Sequence, residues 1–237
     1  GAFSAIKYDG SVSAWGHEAM GGSLDLEQPI TNVMDIYSTL EAFAALKEDG
    51  SVVVWGKSEF GGTLIEPLTE VAAIYSNNRG FVAIRENGSV GAWGGFSDNS
   101  ENWKPVPTTV NNVNTIYSTD TAFAAVQADG SVVTWGDKNN GGDSANVDFS
   151  GSVTAIYAGD STFAALKSNG SVVMWGGDVS ILGIENVASI ATYLGDYGDA
   201  DISYRTTPSL SSIKTQEDTP VQLLLQFFDA DQESIQA

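Results

Sequence analysis

Cysteine is absent from this 237-residue chain, and histidine occurs once, at His17. The first absence excludes disulfides, thiolate zinc sites and cysteine nucleophiles; the second excludes a multi-histidine metal site. Basic residues are scarce as well, ten Lys and Arg against thirty Asp and Glu, for a formal charge of −20. Nucleic acid and anionic membrane surfaces repel a polyanion of this kind, so neither is an expected partner. No apolar run approaches the ~20 residues of a spanning helix, so no membrane insertion is expected. The opening Gly1-Ala2-Phe3 shows no charged or apolar leader region. It falls inside a repeat, so the natural N-terminus is expected upstream. Many carboxylates with few cations suit a soluble extracellular or salt-tolerant protein and leave oxygen ligands for calcium.

What the chain does have is internal repetition. Five segments align without gaps: Phe3 to Gly16, Phe43 to Gly56, Phe81 to Gly94, Phe123 to Gly136 and Phe163 to Gly176. The second reads FAALKEDGSVVVWG, the fourth FAAVQADGSVVTWG and the fifth FAALKSNGSVVMWG. Each segment has Asp-Gly or Asn-Gly at its centre, at 9–10, 49–50, 87–88, 129–130 and 169–170, which predicts a hairpin with a type I′ turn. The flanking runs are apolar on both alternating faces, the pattern of strands covered on both sides. Alanines such as Ala44 and Ala45 leave room for close approach. A further strand follows each hairpin: Val33 to Tyr37, Val71 to Tyr75, Val113 to Tyr117, Val153 to Tyr157, and Val187 to Tyr193. The connection between them is polar, with Gly21-Gly22, Gly61-Gly62 and Gly141-Gly142 six residues after the tryptophan. The expected fold is therefore all-β, a β-propeller-like array of five units of about forty residues and three to four antiparallel strands each. The last strand, near Val187, is placed to complete the first blade if the ring closes.

The pattern V-x-x-I-Y-S, then F-A-A-L-K-x-D-G-S-V-V-x-W-G, then G-G resembles the regulator-of-chromosome-condensation repeat over about residues 1–193. In that family such repeats build a seven-bladed propeller, and the forty-residue period is closest to short bacterial members with three-stranded blades. The sequence departs from the family in having five units. Repeat 3 replaces Gly-Gly with the longer GFSDNSENWKPVP (Gly95 to Pro107), and repeat 5 has Gly177-Asp178-Val179-Ser180 there. The family's chromatin and GTPase roles do not carry over: the charge opposes DNA, and no motif for nucleotide exchange is matched.

The repeat domain is expected over 1–194, a linker over 195–211, and the start of a second, truncated β-domain over 212–237. The segment from Glu217-Asp218-Thr219-Pro220 to Phe228-Asp229-Ala230-Asp231 resembles the opening of the cadherin-like and immunoglobulin-like repeats of large bacterial adhesins. About thirty residues are too few for a sandwich of roughly a hundred.

The repeat tryptophans at 15, 55, 93, 135 and 175 are expected in the core. Trp103 stands outside their register, in the longest connection; with Phe96, Asp98, Asn99 and Asn102 it forms a candidate aromatic platform for a glycan or peptide. Met20 and Phe60 hold equivalent positions before Gly-Gly and are candidates for the same face. His17 reads as solvated. Asp196, Asp199 and Asp201, and Asp229 with Asp231, have the oxygen-rich character that calcium prefers, and no other cofactor is indicated. No nucleophile elbow, phosphate loop or dinucleotide fingerprint is present, and no carboxylate pair stands out, so an enzyme is not expected. The leading expectation is a non-enzymatic binding or spacer module of an extracellular or cell-surface bacterial protein, an adhesin recognising glycan or protein through propeller-face loops. The alternative is a secreted propeller that binds and inhibits an enzyme; a polysaccharide-active enzyme comes third.

Overall fold

The Asp-Gly and Asn-Gly steps make the predicted hairpins, through a different turn. The computed structural model describes residues 1–24, 29–95, 103–104, 106–107, 110–177, 179, 184–192 and 224–225. In it, β1 (Ala2–Ile6) pairs antiparallel with β2 (Val12–Gly16), setting Phe3 opposite Trp15. At the turn, Lys7 N–H donates to Ser11 O at 2.8 Å and Gly10 N–H to Lys7 O at 2.9 Å. Gly10 is left-handed, with φ 76°, and Asp9 is not. This is a three-residue loop, a type I turn closed by a left-handed glycine, in place of type I′. The aspartate explains the choice. Its Oδ1 accepts the Ser11 N–H at 2.9 Å and the Ser11 O–H at 2.6 Å, a local bond that fixes Asp9 in the turn.

Four further hairpins repeat this register, and each gains a third strand. The sheets are β3 (Val33–Ser38), β4 (Ala42–Lys47) and β5 (Val52–Gly56); β6 (Val71–Ser76), β7 (Gly80–Arg85) and β8 (Val90–Gly94); β10 (Val113–Ser118), β11 (Ala122–Gln127) and β12 (Val132–Asp137); and β13 (Val153–Ala158), β14 (Thr162–Lys167) and β15 (Val172–Gly176). A short strand, β9 (Trp103–Lys104), adds a fourth to the β10–β12 sheet at the free edge of β12. The Ile-Tyr strand opens its blade: β3 pairs with β4, the hairpin that follows it, and not with β2. The reason is loop length. Three residues join Ser38 to Ala42, which suits an antiparallel neighbour, whereas the Gly-rich connection is long enough to cross to the next blade. The Ile-Tyr strands carry a register shift at the same place in every blade, between Val33 and Asp35 in the first. Such a bulge bends the strand and increases its twist.

The core lies between blades. Leu46 and Val52 of blade 2 pack with Ile74, Phe81 and Trp93 of blade 3, and the alanines between them, Ala42, Ala44 and Ala83, are buried. Phe123 and Trp135 of blade 4 pack likewise on Val82 and Ile84 of blade 3. Within each blade the phenylalanine stacks on the tryptophan opposite, with ring centroids 5.1–5.8 Å apart. Four of the five repeat tryptophans are buried, as expected. Trp15 is 52% exposed, because among the described residues no blade covers its side of β1–β2.

At one end of the array the blades are laced by a backbone series. Leu40 N–H donates to Asn78 O, Asn78 N–H to Asp120 O and Asp120 N–H to Asp160 O, at 3.2, 3.1 and 2.8 Å. Among the described residues the ring does not close. The β1–β2 sheet stays two-stranded, and of the strand expected near Val187 only β16 (Ala191–Thr192) forms, parallel to β17 (Leu224–Leu225). The rest of the expected linker and second domain lies outside the described residues.

Candidate binding face

Each blade has two ends. The tight Asx-Gly turns close one. The other carries the chain leaving each Trp-Gly step together with the turn between first and middle strands. Lys57 N–H donates to Glu41 O at 2.8 Å and Asp137 N–H to Thr121 O at 3.1 Å, which holds the two on the same end.

Among the described residues, three of the outgoing connections begin with a single turn of 3₁₀ helix: Glu18–Met20, Ser58–Phe60 and Lys138–Asn140. Each stops at a left-handed glycine, Gly21, Gly61 or Gly141, with φ 90, 99 and 95°. Conformation and space both demand glycine. A Cβ on Gly61 would lie 2.6 Å from Cδ2 of Phe81 in the next blade. The glycine carbonyl then accepts the indole N–H of that blade: Trp55 Nε1 to Gly21 O and Trp93 Nε1 to Gly61 O at 3.2 Å, and Trp175 Nε1 to Gly141 O at 3.1 Å. From the other side Thr39 Oγ1 donates to Phe60 O at 3.0 Å and Thr119 Oγ1 to Asn140 O at 2.9 Å. Two successive carbonyls are thus pinned, one by each of two adjoining blades. The Gly-Gly pairs were legible as a connection, but this latch was not. Its one sequence signal is that Gly-Gly always precedes the next repeat's Phe and Trp.

Repeat 3 lacks the latch. Trp135 Nε1 is buried without a hydrogen-bond partner, and so is Asn77 Nδ2, which stands where Thr39 and Thr119 stand in their blades. Asn77 keeps the local half of the threonine's work, its Oδ1 accepting from Arg79 N–H at 2.9 Å and Gly80 N–H at 3.0 Å.

Met20 and Phe60 close equivalent 3₁₀ turns on this end, and both are half-buried. Phe60 packs against the core between blades 2 and 3. Lys57 Nζ lies 5.0 Å above its ring and 2.7 Å from Glu41 Oε2. That hydrogen bond to Glu41 holds the Lys57 ammonium above its ordinary pKa. The backbone of Trp103 is fastened to the outer edge of blade 4, opposite Asp137, and Lys104 is opposite Gly136. Asp137 in turn accepts the Asn139 N–H at 2.9 Å, so Trp103 sits beside the third 3₁₀ turn. The structure therefore places Met20, Phe60 and the Trp103 backbone on one end of the array, spread over blades 1, 2 and 4. His17 is exposed at the start of the first turn. Phe96, Asp98, Asn99 and Asn102, and the calcium candidates Asp196, Asp199, Asp201, Asp229 and Asp231, lie outside the described residues. Among the described residues no three acidic or histidine side chains gather as a metal would require, and no helix is long and apolar enough to cross a membrane.

No protein-family profile matches the sequence, and no curated protein does. Solved structures do resemble the fold. The entire ectodomain of the receptor kinase CR4 from Physcomitrella patens matches with a TM-score of 0.51 at 16% identity, over 74% of this chain and 50% of that one. Yeast RCC1 (Prp20), solved with Kap60 bound, matches with a TM-score of 0.49 at 16% identity, over 74% of this chain and 54% of that one. Human WBSCR16 matches with a TM-score of 0.47 at 16% identity, over 74% and 59%. The chain spans about half the length of these proteins, and at such identity the likeness is one of fold: an all-β, propeller-like array of antiparallel sheets.

Proposed function

We propose that this chain is a non-catalytic binding module of a secreted or cell-surface bacterial protein, recognising a glycan or a protein through the loops at the Trp-Gly end. The observation that supports this reading is the contrast between a constant frame and a varied face. The Asx-Gly turns and the Phe–Trp stacks repeat from blade to blade. The 3₁₀ turns on the other end instead present His17-Glu18-Ala19-Met20, Lys57-Ser58-Glu59-Phe60 and Asp137-Lys138-Asn139-Asn140, and repeat 3 has the unrelated sequence Gly95-Phe96-Ser97-Asp98 at that place. Binding residues concentrate on loops held by a rigid scaffold. The connection with Trp103 is the longest and is tied by its backbone to blade 4, which makes its indole the first side chain to test.

The test is a glycan array probed with the purified chain, in calcium and then in chelator. Specific binding that Trp103→Ala reduces at least tenfold, with the melting temperature unchanged, is the expected result. Binding lost in chelator would assign calcium to the aspartates of the linker and tail. Binding that Trp103→Ala leaves intact would remove that residue from the site. An empty array with a protein captured instead would overturn the glycan reading in favour of a protein partner.

A further inference from the structure

Three Asn-Gly steps occur in the sequence: Asn87-Gly88, Asn140-Gly141 and Asn169-Gly170. A glycine has no side chain to shield its backbone nitrogen, so that nitrogen can reach the side-chain amide carbon of the asparagine before it. The structure holds the three steps in three different ways.

Asn169 is exposed at the tip of the blade 5 hairpin. Its Oδ1 accepts the Ser171 N–H at 3.0 Å and the Ser171 O–H at 2.7 Å. Two donors on one carbonyl oxygen draw electrons from Cγ and stabilise the negative charge that gathers on that oxygen when Cγ is attacked. Asn87 occupies the same place in blade 3 and is also exposed, but there the hydroxyl is engaged elsewhere. Asn87 Oδ1 accepts the Ser89 N–H at 2.9 Å, while Ser89 Oγ accepts from Arg85 Nη1 at 3.4 Å. The backbone is common to both turns: Gly88 N–H donates to Arg85 O at 2.8 Å and Gly170 N–H to Lys167 O at 2.9 Å, with glycine φ of 76 and 78°. Backbone restraint is therefore shared, and the serine hydroxyl is the difference. Asn140 is half-buried, and its Nδ2, the group that would have to leave, donates to Thr121 Oγ1 at 2.6 Å.

We propose that Asn169 is a self-modifying site, which converts to aspartate and isoaspartate by cyclising onto Gly170 with the Ser171 hydroxyl accelerating the step. Gly170 N bonds to Asn169 Cγ and gives its proton to hydroxide. The Cγ–Nδ2 bond breaks, and the amide nitrogen takes a proton from water and leaves as ammonia. Water then opens the five-membered imide, at Cγ to give aspartate or at the main-chain carbonyl to give isoaspartate. The fold receives the two products differently. Aspartate already stands at this place in blades 1, 2 and 4, where the serine O–H donates to it at 2.5–2.6 Å. Isoaspartate adds a methylene to the main chain of a loop closed by Lys167 N–H to Ser171 O at 2.9 Å and tied by Ser168 N–H to Ser152 O at 2.8 Å. One product keeps the hairpin and the other breaks its register.

The test is to hold the folded chain at mildly alkaline pH and follow each asparagine by peptide mapping and mass spectrometry. Asn169 should convert about tenfold faster than Asn87; a buried oxyanion-hole donor is worth ~10²–10³, and one open to water less. Asn140 should be the slowest. Ser171→Ala should bring Asn169 down to the rate of Asn87, whereas a turn merely loosened by the change would free Asn169 and move its rate the other way. Arg85→Lys, which copies the residue at 167, should release the Ser89 hydroxyl and speed Asn87. In urea Asn87 and Asn169 should convert alike, because the difference belongs to the folded turn. Equal rates at Asn87 and Asn169 in the folded chain would overturn the proposal, and so would a Ser171→Ala chain whose Asn169 converts as fast as before.

Discussion

Trp135 shows how much one indole does here, and which part of it matters. It is fully buried between blades 3 and 4 and stacks on Phe123 at 5.8 Å. Trp135→Ala should cost about 3–5 kcal/mol, as large core truncations do. Its Nε1 has no acceptor, however, whereas Trp93 donates to Gly61 O. Trp93→Phe would remove apolar area and a hydrogen bond together; Trp135→Phe would remove area alone. With such a bond worth roughly 0.5–1.5 kcal/mol, Trp93→Phe should be the costlier by about 1 kcal/mol, read from urea midpoints. Equal costs would mean that the latch bond adds nothing. The turn aspartates make a second case. Asp9, Asp49 and Asp129 have lowered pKa values, chiefly because the hydroxyls of Ser11, Ser51 and Ser131 donate to them. A carboxyl depressed on folding contributes stability that is present above its unfolded pKa, about 4 for aspartate, and is lost as pH falls through the folded value. Stability should therefore decline on the acid side. Asn169 receives the same Ser171 N–H and O–H without charge, at 3.0 and 2.7 Å, so the repeat already contains the control. Replacing all three aspartates by asparagine should keep the hairpins and flatten the acid limb of a pH–denaturation curve.

Among the elements, the 3₁₀ turn with its glycine joins blade to blade. Gly61→Ala would force a Cβ into the Phe81 ring and a non-glycine residue to φ 99°. The strained backbone alone costs of order 1–3 kcal/mol. Because the clash falls on the blade 2–blade 3 junction, the loss should exceed that of Gly95→Ala, where a Cβ meets neighbours no nearer than 3.0 Å and no left-handed φ is required. Thermal melts of the two variants would compare them. The hairpins were legible in the sequence because their determinants are local: an Asx-Gly step, a serine two residues after the aspartate or asparagine, and a Phe fixed opposite a Trp. The turn type was not, because Asp-Gly serves both type I′ and type I with a left-handed glycine, and the serine hydroxyl decides between them. Strand partnership was open for the same reason in reverse, since the Ile-Tyr strand is flanked by two hairpins and only connection length separates them. Of the latch, only the Gly-Gly pair ahead of the next repeat's Phe and Trp was visible, not its hydrogen bonds. One of these joins Trp93 to a carbonyl 32 residues earlier, and backbone carbonyls leave no mark in a sequence. Of the candidate site, the equivalence of Met20 and Phe60 was readable from the repeat. The attachment of Trp103 to blade 4 was not, since two strand residues inside an irregular loop carry no periodicity.

For the molecule as a whole, stability should follow position in the array. A repeat protein gains its stability from each unit and from contacts with nearest neighbours only. Blade 3 has a neighbour packed on each face, through Phe81 and Trp93 on one side and Val82 and Ile84 on the other. Among the described residues blade 1 has one, through Val12 against Ala45 and Trp55, while Phe3 and Trp15 are largely exposed. The β1–β2 amides should therefore open at a lower free energy than those of β7, and local opening is what amide hydrogen exchange measures. In dilute, low-salt solution, exchange should be fastest in β1 and β2 and slowest in β7 and β11. Uniform exchange across the five hairpins would show that the blades unfold as one unit, and that the nearest-neighbour account of this array fails.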